Sequence, residues 1–256
     1  MLLIVDIGNT NVVLAFFENS KSKPKSIKRT VTEATQSAEV YAKIFSEFST
    51  DISFSDIHKV LISSVVPAAT EQVKTAIESL VSAPVFLFSK EYYDKLPVKI
   101  PDSAKNEIGT DLVSNAVFAF CKYKKACVVV DFGTALTFTS VDGKGNVRGV
   151  AIAPGLQTAC KALFSNTAQL PTVLLNEPKS ALGLNTVEAI QSGIVLGYKG
   201  LVKSLLNHIQ EELGETCTLI ATGGLSYVFK NPSEIFDEVD VGITVQGLAT
   251  ILEKFL

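Results

Sequence analysis

Histidine is scarce in this 256-residue chain, and that scarcity excludes a good deal. Its two histidines, His58 and His208, lie outside every motif described below. Nucleophile schemes that pair serine or cysteine with histidine are set aside, so a general base has to be a carboxylate. Cysteine is equally sparse. Cys121, Cys127, Cys160 and Cys217 form no Cys-x-x-Cys pair. Neither zinc spacing nor a disulfide framework is expected, and the four read as reduced thiols of a cytoplasmic protein. Arginine is almost missing: only Arg29 and Arg148 among 23 basic residues, in a chain of net charge −3. The one lysine-rich stretch, 21–29, reads as a solvated hairpin and strand end, so no nucleic-acid partner is expected. No apolar run approaches the ~18 residues of a membrane span. The apolar start, 1–5, stops at Asp6 with no basic flank. Neither a membrane partner nor a signal peptide is expected. A Gly-x-x-x-x-Gly-Lys-Ser/Thr loop is absent too. Gly143-Lys144-Gly145 sits between two strands and cannot open a helix, as a dinucleotide fingerprint must.

What is present is a strong apolar pattern: 47% of residues are hydrophobic and 19% charged, enough for one large domain or two small ones. Residues 2–5 form an apolar strand that enters the turn Asp6-Ile7-Gly8-Asn9-Thr10-Asn11, and 12–17 a second strand. A third strand fits 26–31. Val40, Ile44, Phe45 and Phe48 have helical spacing. Strand 60–64 follows, and Pro67 opens a helix with Val73, Ile77 and Leu80 on one face. The stretch 91–108 is irregular and reads as a covering loop. Val113, Ala116, Val117 and Phe120 then mark an amphipathic helix.

At Ala126 the pattern restarts. Strand 127–130 ends in Asp131-Phe132-Gly133-Thr134, and strands 136–141 and 147–152 follow. Helical stretches cover 155–164 and 186–213. A strand at 218–221 ends in Thr222-Gly223-Gly224, and a helix at 244–255 closes the chain. Asp6 and Asp131 stand 125 positions apart in matching contexts: strand, Asp, apolar residue, Gly, turn, strand. Such a repeat predicts two α/β domains of similar topology, here 1–112 and 113–256, facing each other across a cleft.

The turn after Asp6 carries the most chemistry. A strand delivers a carboxylate, Gly8 lets the backbone bend and approach a ligand, and Asn9, Thr10 and Asn11 offer donors. Phosphate fits there, with magnesium between it and Asp6. A hairpin whose Gly and Asn merely satisfy turn geometry is the bland alternative. The second copy at Asp131 weighs against it. Gly223 and Gly224 would let a flat nucleoside approach, or form a plain strand-to-helix turn. Gly109-Thr110-Asp111 opens a helix. There Asp111 is either an N-cap or a carboxylate that accepts a substrate hydroxyl proton. A helix start favours the ionised form, so such a base would be weak and mostly positional. Gly193, Gly197 and Gly200 read as helix-packing positions, including packing across a subunit interface.

DIGNTN, SSVVP, GTD, VVDFGTALTF, GVAIAPGL, TVEAIQSGIVLGYKGLV and TGGL occur in this order over nearly the whole chain. In this the chain resembles the type III pantothenate kinases. The resemblance implies two ribonuclease-H-like, actin-like α/β domains related by duplication, and ATP-dependent phosphorylation of pantothenate towards coenzyme A. It implies that Asp6, Gly8, Asn9, Thr10, Asn11, Val12 and Val13 hold ATP phosphate and Mg2+, with Gly133 and Thr134 contacting phosphate. Gly223 and Gly224 would lie near the adenosine. Asp111 would be the catalytic base, and Gly109, Thr110, Leu112 and Thr186 would line the pantothenate site. Asp131 would bind a monovalent cation, K+ or NH4+. A homodimer is implied as well. Two positions depart from the family pattern. Leu112 stands where arginine usually follows the catalytic aspartate, and Asp102 where a tyrosine usually precedes it by nine residues. Lys105 is a candidate replacement cation. The departures leave open a non-catalytic nucleotide-binding relative, or a kinase with another hydroxyl acceptor.

Overall fold

The computed structural model describes residues 1–48, 52–165 and 173–256. The chain divides into two compact units, Met1–Phe118 with Gly242–Leu256, and Ala119–Val241.

In the first unit, β1 (Leu2–Ile7), β2 (Asn11–Phe17), β3 (Ser26–Val31), β4 (Lys59–Ser64) and β5 (Val85–Leu87) form one sheet, ordered β3-β2-β1-β4-β5. β1 is apolar at nearly every position because both its faces are covered. Leu3, Val5 and Ile7 share a core with Tyr41 and Phe45 of α1 (Ala38–Glu47) and Val73 and Ile77 of α2 (Pro67–Leu80). α7 (Ile243–Lys254) packs on β1 and β4. Its Gly247 meets the Ser114 backbone so closely that a Cβ would overlap it. Ser114 lies in α3 (Thr110–Tyr123), within which the unit boundary falls.

The second unit repeats the plan. β6 (Cys127–Phe132), β7 (Ala135–Val141), β8 (Val147–Pro154), β9 (Thr218–Thr222) and β10 (Glu238–Val239) are ordered β10-β9-β6-β7-β8. In each unit three antiparallel strands come first, and the fourth joins the first in parallel. The registers correspond. Asp6 lies opposite Val13 and Ser63, and Asp131 opposite Thr137 and Thr222. α4 (Leu156–Ser165), α5 (Thr186–Gln191) and α6 (Gly197–Leu213) follow the same unit's strands, with a π-turn, Ser192–Leu196, joining α5 to α6. Val202 and Leu206 of α6 pack on Val128, Val130 and Phe138.

Several sequence expectations shift. The units divide at Phe118/Ala119 rather than 112/113, and α7 belongs with the first unit instead of the second. Apolar patterning identifies α7 as a helix but carries no information on which sheet it covers. α1 buries Ala38, Tyr41 and Phe45, whereas Val40 is 46% exposed. Its inner face is set by Tyr41, whose hydroxyl accepts from Glu33 N–H (2.9 Å) and donates to Glu33 C=O (3.0 Å). Residues 91–108 begin in a 3-10 segment, Lys90–Lys95, and bury Tyr93, Val98 and Ile100. β5 and β10, of three and two residues, are too short to show a period.

The β7–β8 turn is organised by a single buried carboxylate. Asp142 accepts from Lys144 N–H, Asn146 N–H and the Asn146 amide, and Arg148 lies 3.6 Å away. Burial alone would raise its pKa, but these donors outweigh it and the net shift is downward. The stability this contributes is present above the unfolded aspartate range and lost as pH falls through the depressed folded value. Asp142→Ala is expected to cost about 2 kcal/mol at neutral pH, read from urea unfolding, and less as the solution is acidified.

Candidate active site

In the first unit, the half-buried Asp6 stands one residue before the end of β1. The chain reverses through Gly8, whose N–H donates to Asn11 C=O (3.0 Å). Asn9, Thr10 and Asn11 are exposed, while Val12 is fully buried and Val13 half-buried. Val12 therefore offers only its main chain to a ligand. Gly8 is not in the left-handed region, and an added Cβ would stand 3.4 Å from Asn11 O, an ordinary contact. Turn geometry does not demand glycine here.

Thr32, unremarked in the sequence, holds this turn. Its N–H donates to Thr10 C=O (3.0 Å) and its hydroxyl to Gly8 C=O (2.7 Å). In the second unit Gly133 N–H donates to Ala135 C=O (3.2 Å), and Gly133 and Thr134 are exposed. There Thr134 C=O accepts from Gly155 N–H (3.0 Å) and the Thr158 hydroxyl (2.7 Å). A Cβ on Gly155 would overlap Gly133 O, so this glycine is required by its approach to the turn.

Gly223 and Gly224 differ in kind. Gly223 has φ +89°, and a Cβ there would lie 2.5 Å from Asp131 Oδ1 and 2.7 Å from the Phe132 backbone. It is required by packing against β6. Gly224 is exposed and would meet nothing within 4 Å.

Asp111 stands in the first turn of α3. Thr110 Oγ1 lies 2.9 Å from Ser63 Oγ, and Ser63 is the β4 residue paired with Asp6. Three elements thereby gather Asp6, Ser63, Thr110 and Asp111 into one corner of the first unit. Leu112 N–H donates to Asp111 Oδ1 (2.9 Å). The carboxylate folds back over Gly109, where a Cβ would overlap it. Burial raises the Asp111 pKa, and the amides of Leu112 and Asp111 only partly oppose this. That corrects the expectation of a weak base held ionised by the helix start: desolvation wins.

Leu112 itself is 8% exposed and turns an apolar side chain inward. Lys105 is engaged by Asp94 and Asp102, each at 3.0 Å, so it is not a free replacement cation. A residue the sequence order hides lies closer to Asp111. Tyr93 is buried, its hydroxyl 3.5 Å from Ile108 O. Burial, and then the charge of Asp111, push its pKa up to about 12. Its eighteen-residue separation from Asp111 gave no signal of proximity.

Thr186 is exposed at the start of α5, where the Asn185 side chain caps Glu188 N–H (3.0 Å). It lines an open groove of about 550 Å³ with Leu163, Leu184, Ile190 and Gly193. Cβ atoms on Gly193, Gly197 or Gly200 would meet nothing within 4 Å among the described residues.

Duplicated ribonuclease-H-like units, each closing its first hairpin in an Asp-x-Gly turn, define a protein of the actin-like fold class. Solved structures agree on the fold. The chain is similar to a protein described as a Baf family transcriptional activator from Campylobacter jejuni (TM-score 0.58, 18% identity, 97% of this chain and 96% of that one). It is also similar to a ROK family glucokinase from Streptomyces griseus (TM-score 0.50, 13% identity, 98% and 99%). The profile of the type III pantothenate kinases matches residues 2–208. A type III pantothenate kinase of Treponema pallidum is 39% identical over 254 residues, 98% of this chain and 93% of that protein. The chain belongs to the type III pantothenate kinase family.

Proposed function

We propose that this protein transfers the terminal phosphoryl group of ATP to the hydroxyl of pantothenate, the first step of coenzyme A biosynthesis. The observation that carries the reading is the Asp6–Ser63–Thr110–Asp111 corner. It joins a phosphate-type turn to a half-buried carboxylate through one hydroxyl contact of 2.9 Å. Asp111 accepts the proton of the attacking hydroxyl, and its raised pKa makes it a better acceptor than an ordinary aspartate. Gly109 and Thr110 line the acceptor side with Leu112, which acts through its backbone. Thr186, at the start of α5 in the second unit, is a pantothenate contact as well. The turn from Asp6 to Val13 binds ATP phosphate, Gly133 and Thr134 bind phosphate, and exposed Gly224 lies at the adenosine.

Magnesium, when bound, neutralises phosphate charge. Asp6, a half-buried carboxylate at a strand end, supplies the hard oxygen it needs, directly or through water. Asp131 suits a monovalent cation for a reason visible in its neighbours. The residues opposite it on both sides, Thr137 and Thr222, bury hydroxyl oxygens with no hydrogen-bond partner among the described residues. Such oxygens are costly unless something claims them. K+ or NH4+ would be held by these three side chains.

A homodimer forms through the exposed surface of α4, α5, the π-turn and α6, where Gly193, Gly197 and Gly200 offer close approach and Leu163, Leu184 and Val187 are exposed. No described helix is long and apolar enough to cross a membrane. With its reduced thiols, the protein works in the cytoplasm.

Phosphopantothenate is expected to form only with ATP, magnesium and pantothenate together, faster in potassium than in sodium. Thr222→Val is expected to raise the potassium needed for half-maximal rate by about fivefold, the worth of one hydrogen-bond-sized contact. ATP binding by calorimetry with no phosphopantothenate formed would instead mark a nucleotide-binding relative.

A further inference from the structure

The two Asp-x-Gly turns differ in sequence and loop length, yet each is fastened in the same way from the end of its third strand. In the first unit the residue after β3, Thr32, donates its N–H to the residue before β2, Thr10. In the second, the residue after β8, Gly155, donates its N–H to the residue before β7, Thr134. A second donor, a threonine hydroxyl, completes each fastening at 2.7 Å: Thr32 Oγ1 to Gly8 C=O, and Thr158 Oγ1 to Thr134 C=O. Position 155 cannot carry the hydroxyl itself, because any Cβ there overlaps Gly133 O. The role passes to Thr158, in the first turn of α4.

The consequence for an anion follows from peptide geometry. In a planar trans peptide the N–H points opposite to the C=O. Pinning Gly8 C=O towards Thr32 turns the Asn9 N–H the other way, and pinning Thr134 C=O does the same for Ala135 N–H. It also keeps two carbonyl oxygens from swinging towards phosphate oxygens, which they would repel. An electrostatic site works best when its dipoles are fixed before the ligand arrives. We infer that Thr32 and Thr158 are positioning residues, each for the phosphate-binding turn of its own unit: their hydroxyls hold the turns amide-outward. This rests on the proposed phosphate-binding role of the turns.

The test uses the full-length protein, with Thr32→Val, Thr32→Ser, Thr158→Val and Thr158→Ser. Each is assayed against ATP, pantothenate and the competitive inhibitor inorganic tripolyphosphate, which lacks a nucleoside. Both valine variants are expected to raise the KM for ATP by about 3–10-fold, the range of one lost hydrogen bond. The Ki for tripolyphosphate should rise by the same factor, while the KM for pantothenate stays within about twofold. The serine variants keep the hydroxyl and should stay close to the native protein. Thr158 is exposed, so its valine variant tests the idea even if Thr32→Val folds poorly. Valine variants with native KM and Ki would overturn the inference, as would serine variants impaired as much as valine ones, since packing would then be the cause. Native protein that turns over ATP without inhibition by tripolyphosphate would overturn the phosphate role of the turns, and the inference with it.

Discussion

Asp111→Asn is expected to lower turnover by at least ~100-fold, the usual contribution of a general base. The same substitution is expected to make the protein harder to unfold at neutral pH. Both effects come from one cause. Burial raises the Asp111 pKa, so the folded state holds the carboxyl's proton more tightly than the unfolded chain does. The group is least costly to fold below its unfolded pKa, and that advantage is lost as pH rises through its folded pKa. At neutral pH the charged form is a burden on folding, and a neutral amide removes it while still accepting from Leu112 N–H. For catalysis the sign is opposite. As the proposed base, Asp111 would act only when deprotonated, so kcat/KM for pantothenate should fall on acidification at a pH above the ordinary aspartate range. A variant with native turnover, or an acid limb in the ordinary range, would remove Asp111 from the chemistry.

Gly223→Ala is expected to destabilise the protein by about 2–5 kcal/mol, combining a left-handed backbone with overpacking. At φ +89° alanine is strained. Its methyl would also press on the Phe132 backbone at 2.7 Å and on Asp131 Oδ1 at 2.5 Å. The clash is with main chain at the end of β6, where it pairs with β9, and backbone cannot give way cheaply. Displacing Asp131 should additionally weaken potassium stimulation. Gly224→Ala is the matched control. Nothing lies within 4 Å of the added methyl, so the fold should hold. Its effect should appear as a raised KM for ATP if the adenosine approaches there. Urea unfolding and ATP-dependence of the two variants side by side would separate the glycine that packs from the glycine that makes room.

Much of the site was legible because its parts are local. Asp6-Ile7-Gly8 and Asp131-Phe132-Gly133 each pair a buried-strand pattern with a turn, and neighbouring residues in a chain must be neighbours in space. Gly109-Thr110-Asp111 announced a helix start for the same reason. Tyr93 and Thr32 were not legible. Each reaches its partner through a fold in the chain: Tyr93 to the Asp111 region across an irregular stretch, and Thr32 to Gly8 across a strand pair. Nor was the sign of the Asp111 shift legible, since it depends on how much protein surrounds the carboxylate rather than on where the helix begins.

The chain's own order of residues determined the duplicated strand–Asp–turn–strand plan, the helix openings and the family, because periodicity and turn chemistry act over a few neighbouring positions. The tertiary structure alone decided that α7 returns to the first sheet, that Lys105 is engaged by two aspartates, and that burial raises the pKa of the Asp111 carboxyl. Those outcomes depend on which distant segments meet, and solvent exclusion belongs to the assembled core rather than to any stretch of sequence.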